Sequence, residues 1–442
     1  MQTEDKLDLI ARDRLHVWHP YTQHGTEKDP VAIARASGAS LFDADGHEML
    51  DLISSWWTCI HGHAHPAINK ALCDQAGKLE HVMFAGFTHQ GAVDLAEQIT
   101  KVLGADLSRV FYSDNGSTAN EVALKMAYQY CRNKGDDKRT IFLSFKGDYH
   151  GDTMGAMAVS RGSGFFKLFE DLMCEARTIP FAATFCGDQQ REEKENQAIA
   201  AFAQTLDQCG DQTAALILEP LMQGAAGMQF CTPDFLRRVV EMAQARGIIV
   251  ILDEVATGFG RTGSFFAFQQ SGVRPDIVCL SKGLTAGYMA LSMTVVREDF
   301  FQEFAGDTFN KALAHGHSFT GNPLACAVAL KSLALFEEEN TFERIAMIEE
   351  RHKQLLPTLQ DHPLIEKPRV LGTVLAFDLR EGAAGYKTNE SLFLRDWYLQ
   401  QGLNIRPYGK TIYLMPPYCI SDEQIDTAYE GVLNGLAQLN RK

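Results

Sequence analysis

The chain has no paired cysteines. Its ten Cys stand apart, with no C-x-x-C among 442 residues. Neither a disulfide framework nor a structural zinc site is therefore expected, and inert thiols in a reducing cytoplasm fit better. No apolar run approaches the roughly 20 residues needed to cross a bilayer. The opening "MQTEDKLDLIARDRLHVWHP" has early acids and no apolar core, so no secretory signal is expected. Positive charge is short as well: 41 Lys and Arg face 56 Asp and Glu, a net charge of −15. That balance argues against nucleic acid and against anionic membrane as partners. Repeats and low-complexity tracts are missing.

Tryptophan is scarce, with four in the chain, yet two are adjacent in "SSWWTCIHGHAHP", residues 54–66. His61, His63 and His65 follow at alternate positions. They would share a face only in an extended strand, which Pro66 interrupts, and no carboxylate or Cys stands at a familiar ligand spacing. No metal is expected there. The stretch reads instead as a turn into a helix over "PAINKALCDQAGKLEH".

A composition of 45% hydrophobic and 22% charged residues is that of a soluble globular chain. Residues 1–60 hold short strand-like pieces with a turn signal at Asp45-Gly46. From 61 to 330, apolar runs of strand length ("RVFYS", "TIFLSF", "AALILEP", "IIVILDE", "DIVCLSK") alternate with helical patterns. That alternation predicts an α/β fold with a mostly parallel sheet covered on both faces. Residues 331–442 form a smaller α+β domain, completed by the N-terminal segment. The stretch "LACAVALKSLALFEEENTFERIAMIEERHKQLLPTLQ" reads as one long helix, and "DQQREEKENQ" as a surface loop or helix start.

Functional groups in such sheets collect at the carboxyl ends of strands. One apolar strand finishes on Asp253 and Glu254, another on Ser281 and Lys282. A lysine there is costly to bury as a cation but can be held as a Schiff base, and a nearby acid can keep a pyridine nitrogen protonated. Alone, the two residues read at least as well as a structural ion pair. A third piece, Asn115-Gly116-Ser117, leads from a strand into a strong helix whose free N–H groups favour phosphate, although Ser117 also suits an N-cap. Lysine, acid and phosphate cradle together describe a pyridoxal phosphate site. Tyr149, among glycines after another strand, suits stacking on a flat cofactor or a plain turn. "GFGRTG", residues 258–263, matches a dinucleotide-binding pattern, but the next strand ends in Lys282 rather than in an acid.

The motifs "LEP", "NGSTANEVALKMA", "LDEVATGFGRTG", "PDIVCLSKGLTAG" and "GNPLACA" resemble the class III, fold-type I, pyridoxal-phosphate aminotransferases over nearly the whole chain. The resemblance implies a seven-stranded, mostly parallel sheet and a homodimer with active sites at the interface. It implies that Lys282 carries the cofactor and shuttles the proton, and that Asp253 binds the pyridinium nitrogen. Gly116 and Ser117 would hold the phosphate, with Ser318 reaching it from the partner subunit. Tyr149 and Val255 would cover the two ring faces, and Glu219 would lie in the same site.

"VWHPYTQ", "DYHGDTMGAM" and "IRPYGKTIYLMPPY" are similar to the branch acting on 8-amino-7-oxononanoate with S-adenosylmethionine as donor, although some relatives use lysine. There Arg406 would pair with the acceptor carboxylate, and Tyr21, Trp56, Trp57, Tyr149, Gly316 and Tyr413 would line the substrate site. Tyr21 would stand close to the chemistry. Two departures from the family pattern stand out: "KGLTAG" replaces an expected "KALTGG", and "HGHSF" replaces "HGPTF", which places Gly283, Ala286 and His317 at altered positions. Another ω-amino acid or diamine aminotransferase is the alternative, and a His-dependent metal hydrolase the alternative from a different class.

Overall fold

The N-terminal segment makes an antiparallel meander of β1 (Ile33–Ser37), β2 (Ser40–Asp43) and β3 (Glu48–Asp51). The β2–β3 turn contains Asp45-Gly46, where Gly46 takes φ 89°, a conformation open to glycine. The computed structural model describes residues 3–104, 106–380 and 388–439.

The large sheet contains β4 (Leu107–Ser113), β5 (Ile141–Phe145), β6 (Ala176–Ile179) and β7 (Thr213–Leu218). After a small hairpin of β8 (Met222–Gln223) and β9 (Gln229–Phe230) come β10 (Ile249–Asp253), β11 (Ile277–Leu280) and β12 (Ser292–Arg297). Their spatial order is β4-β12-β11-β10-β7-β5-β6, seven strands as the resemblance predicts. Only β12 runs against its neighbours, pairing antiparallel with both β11 and β4. The central strands β7, β10 and β11 are buried at every residue, which is why they read as unbroken apolar runs rather than alternating ones.

The C-terminal part adds β13 (Ile365–Leu371), β14 (Val374–Leu379), β15 (Leu403–Asn404) and β16 (Thr411–Leu414). Strand β15 pairs parallel with β3, Leu403 against Leu50 and Asn404 against Asp51, so the two ends of the chain share one four-stranded sheet. The helix Pro323–Glu338 runs through residue 330 without a break.

Two predicted elements differ in extent, and a third is the helix start expected of it. The expected long helix after Pro323 is two helices, Pro323–Glu338 and Thr341–Gln360, because Asn340 turns left-handed at φ 48° between them. The helix after His65 stops at Ala76, where Gly77 caps it, five residues short of the expected His81. The charge run at 188–197 continues into a 19-residue helix, Arg191–Cys209, with its acids in the first turn, where they complement the helix dipole.

Candidate active site

A cleft of about 610 Å³ opens at the carboxyl ends of the parallel strands. A larger cavity, about 960 Å³, lies at their amino ends, but two of its arginines are already paired with its own acids, Arg297 with Asp276 and Arg139 with Asp136. The cleft at the carboxyl ends is where the strand-end residues converge.

Asp253 closes β10. Its Oδ2 accepts hydrogen bonds from Asn120 Nδ2 at 2.7 Å and His150 Nδ1 at 2.8 Å, and its Oδ1 accepts from Val255 N at 3.1 Å. On the other side of His150, Nε2 faces Asp148 Oδ2 at 3.6 Å. Burial opposes a charge on this ring, but the nearby Asp148 carboxylate and the hydrogen bond to Asp253 outweigh it and raise its pKa to about 10. The imidazolium thus fixes the Asp253 carboxylate from behind. Glu254, one residue on, faces away: it accepts from Thr257 Oγ1 at 2.5 Å and Phe268 N at 2.8 Å. Burial pushes it up to about 7.

Lys282 follows β11 at φ 45°, opening a short 3₁₀ turn, Lys282–Thr285. Burial pulls its ammonium down from the usual lysine range, against the pull of Asp253 and Glu219. Its Nζ lies 5.0 Å from the centre of the Trp57 ring. Glu219 is bound through Oε1 to Tyr149 N at 2.9 Å and through Oε2 to Gly224 N at 2.7 Å. Burial and the neighbouring Asp148 push its carboxyl up to about 8. The amine and this acid are therefore both biased toward their neutral forms.

Strand β4 delivers the chain to helix Gly116–Asn133, whose N-cap is Asn115, not Ser117. Asn115 Oδ1 takes the Thr118 N–H at 3.0 Å and so leaves the N–H groups of Gly116 and Ser117 outside the cap. A Cβ on Gly116 would meet Val255 Cγ1 at 2.6 Å, and one on Gly151 would meet Ser117 Oγ at 2.2 Å. Only bare backbone fits at both points.

The mouth is aromatic. Tyr21 and Tyr149 both donate to Asp152 Oδ1, at 2.6 and 2.9 Å. Trp57 Nε1 donates to the Tyr413 hydroxyl at 3.1 Å, and the Arg406 guanidinium lies 5.0 Å over Trp56. Both tryptophans stand on one left-handed turn: Ser54, Ser55, Trp56 and Trp57 take φ of 48°, 45°, 70° and 75°. Such residues cost about 1–2 kcal/mol each, so the surrounding structure must hold them there.

The family model for class-III aminotransferases matches residues 21–435. The chain belongs to the class-III aminotransferases. An adenosylmethionine-8-amino-7-oxononanoate aminotransferase of Synechococcus elongatus is 44% identical over 96% of this chain and 99% of its own. A crystal structure under the same name from Methanocaldococcus jannaschii superposes with a TM-score of 0.90 at 32% identity, covering 97% of this chain and 99% of that one. An amine transaminase from an uncultivated Pseudomonas species, in its PLP-bound form, gives a TM-score of 0.89 at 30% identity, covering 96% and 98%.

In this class-III aminotransferase the cleft brings together Tyr21, Trp56, Trp57, Gly116, Ser117, Tyr149, Asp253, Val255, Lys282, Arg406 and Tyr413, with Glu219 among them. It does not include Gly316 or Ser318, which are exposed on a segment away from it. The sequence reading passed over Asn120, His150 and Asp152. A buried asparagine inside "NGSTANEV" and a histidine and an aspartate flanking the glycine after Tyr149 were the available signals. The three histidines at 61–65 part company: His61 bonds Ser332 O, His63 bonds Asp51, and His65 caps Ala67 N. The altered lysine loop has a visible consequence, since Ala286 sits at φ 50°, where glycine was expected.

Proposed function

We propose that this chain binds pyridoxal phosphate and transfers an amino group from S-adenosylmethionine to 8-amino-7-oxononanoate, in two half-reactions at one site, as a step of biotin synthesis. The observation that carries the reading is the placement of Lys282 and Asp253 at adjacent strand ends, beneath a mouth built from Trp56, Trp57 and Arg406. The residues present fit the cofactor: the N–H groups of Gly116 and Ser117 at the start of helix Gly116–Asn133, left outside the Asn115 cap and lining the cleft, suit a phosphate, and the hydrogen-bonded Asp253 carboxylate suits a pyridinium N–H.

When bound, the cofactor supplies an electron-accepting ring. Lys282 holds it through Nζ and, once freed, takes a proton from the amino-bearing carbon and returns one in the reverse sense, a role that needs the neutral amine burial favours. Asp253, fixed by Asn120 and His150, stabilises positive charge at the ring nitrogen. Tyr149 and Val255, both lining the cleft, would pack against the cofactor. Arg406 takes the acceptor carboxylate in a bidentate grip, and the tryptophan faces exclude water from the apolar chain.

A homodimer belongs to the same reading. Ser318 is outside its own cleft, on a segment that also exposes Phe309 and Phe319, 78% and 63% accessible. Such a segment suits a partner's phosphate site. No helix of the described residues is long and apolar enough to cross a membrane. The ten free thiols support a cytoplasmic setting.

The test is a product assay with 8-amino-7-oxononanoate, run in parallel with S-adenosylmethionine and with lysine as donors. Diamine formed with S-adenosylmethionine is the expected result. Diamine formed with lysine alone would transfer the donor assignment, and none with either would overturn the acceptor.

A further inference from the structure

The left-handed turn at Ser54–Trp57 contains no glycine or asparagine, the residues that adopt this conformation at low cost. Its backbone closes as a single helical turn, with Trp57 N bonded to Ile53 O and Thr58 N to Ser54 O, both at 2.9 Å. Local sequence preference opposes that geometry, so side-chain contacts must impose it.

Three anchors do so. Ser54 Oγ donates to Met415 O at 2.8 Å, Trp57 Nε1 donates to Tyr413, and Ser55 Oγ donates to Asp51 Oδ2 at 2.7 Å. The third leads furthest. Asp51 is wholly buried, and the same Oδ2 takes His63 Nε2 at 2.8 Å while Oδ1 takes Asn404 Nδ2 at 3.0 Å. His63 is itself immobilised, because its N–H and C=O pair with Gly38 at 2.7 and 3.0 Å. A Cβ on Gly62 would meet Gly38 O at 2.9 Å, so the chain passes there as bare backbone.

None of Asp51, His63 and Asn404 lines the cleft. Their route to it runs through Ser55 into Trp56, which is 39% exposed, meets Tyr21 edge-on at 6.1 Å and underlies Arg406. We propose that Asp51 and His63 act as one unit that holds the Ser55 hydroxyl, and through it the tryptophan turn, in the geometry that receives substrate. They are positioning residues for substrate recognition, acting through Ser55. The proposal rests on the aminotransferase reading above and deepens it. Burial opposes a charge on the His63 ring, but its hydrogen bond to Asp51 prevails and favours the charged form, which suits this role.

The experiment compares Ser55→Ala, Asp51→Asn, His63→Gln and the Asp51→Asn/His63→Gln double variant with the parent holoenzyme. Four quantities are read: KM and kcat for keto acid and donor, pyridoxal phosphate affinity, the denaturation midpoint, and the near-ultraviolet circular dichroism of the tryptophans without substrate. Each single variant is expected to raise KM for the keto acid about five- to twentyfold, with kcat and cofactor affinity within about twofold and an altered tryptophan spectrum. The double variant should be no worse than the worse single, as for residues of one network. Ser55→Ala removes only a hydroxyl, so it keeps the test sharp if the charge variants fold poorly.

The proposal is overturned if KM stays within twofold in folded Ser55→Ala. It is overturned equally if KM, kcat, cofactor affinity and stability decline together, since that pattern marks a merely structural contact. Should the parent protein fail to aminate the keto acid, the substrate reading fails by itself. The substrate-free tryptophan spectra would still show whether Asp51 and His63 control the turn.

Discussion

Lys282 carries its Nζ 5.0 Å from the centre of the Trp57 ring, half-buried in the wall of the cleft and with no ion pair among the described residues. Desolvation there disfavours the ammonium and outweighs the attraction of Asp253 and Glu219, which biases the amine toward the neutral nucleophile. Lys282→Ala should abolish turnover and remove the visible absorbance of lysine-bound cofactor. Trp57→Ala should keep that absorbance but shift its pH dependence, because water replaces the ring beside the lysine nitrogen. Normal steady-state transamination by the alanine variant at 282 would sink the mechanism.

Arg406 lies over Trp56 at the mouth, where a planar guanidinium can stack on the indole and still present its edge to an acid. Hydrogen bonds to charged groups are worth about 1.5–3 kcal/mol. Arg406→Ala should therefore raise KM for the keto acid roughly ten- to a hundredfold. Arg406→Lys should recover part of the loss, since one ammonium cannot reproduce a fork. An unchanged KM in both would remove Arg406 from carboxylate recognition.

The large sheet was legible because β7, β10 and β11 are buried on both faces and so spell continuous apolar runs. Asp253 and Lys282 were legible for the same reason: each is the first chemistry-bearing residue after such a run. The tryptophan turn was not. Left-handed geometry at Ser-Ser-Trp-Trp contradicts local propensity, and contacts from β3, β16 and Met415 impose it. The Asp51–His63 contact spans twelve residues and two elements, with no period or motif to announce it. The helix break at Asn340 was hidden by apolar and charged residues that suit a helix on both sides of it.

Ala286 occupies a left-handed position at φ 50°, and a Cβ on Gly283 would meet Phe259 Cβ at 3.0 Å. The two departures in the lysine loop thus predict opposite responses. Ala286→Gly should stabilise by roughly 0.5–1 kcal/mol, through relief of backbone strain. Gly283→Ala should destabilise unless Phe259 gives way. Denaturation midpoints of the holoenzyme variants check both, and a lower midpoint for Ala286→Gly would show that the loop is not strained there.

Buried histidines set opposite pH limits on stability. Burial lowers His61 to about 3 and His352 to about 4, from an ordinary value near 6.5. Both are neutral in the fold, so the unfolded chain binds their protons first. Their contribution is complete above pH 6.5 and is lost as pH falls from there toward 3, each adding a slope of up to about 1.4 kcal/mol per pH unit. His63 runs the other way. Burial opposes its charge, but the hydrogen bond to Asp51 prevails and raises it to about 10. Its contribution is complete below pH 6.5 and is lost as pH rises toward 10. Stability should therefore decline on both sides of roughly neutral pH. His352→Gln should flatten the acid limb and leave the alkaline one, while His63→Gln should flatten the alkaline limb, where His150, also raised to about 10, keeps the remainder. Thermal midpoints measured from pH 4 to 10 would decide it, and limbs unaltered by both substitutions would mean that other groups govern the pH response.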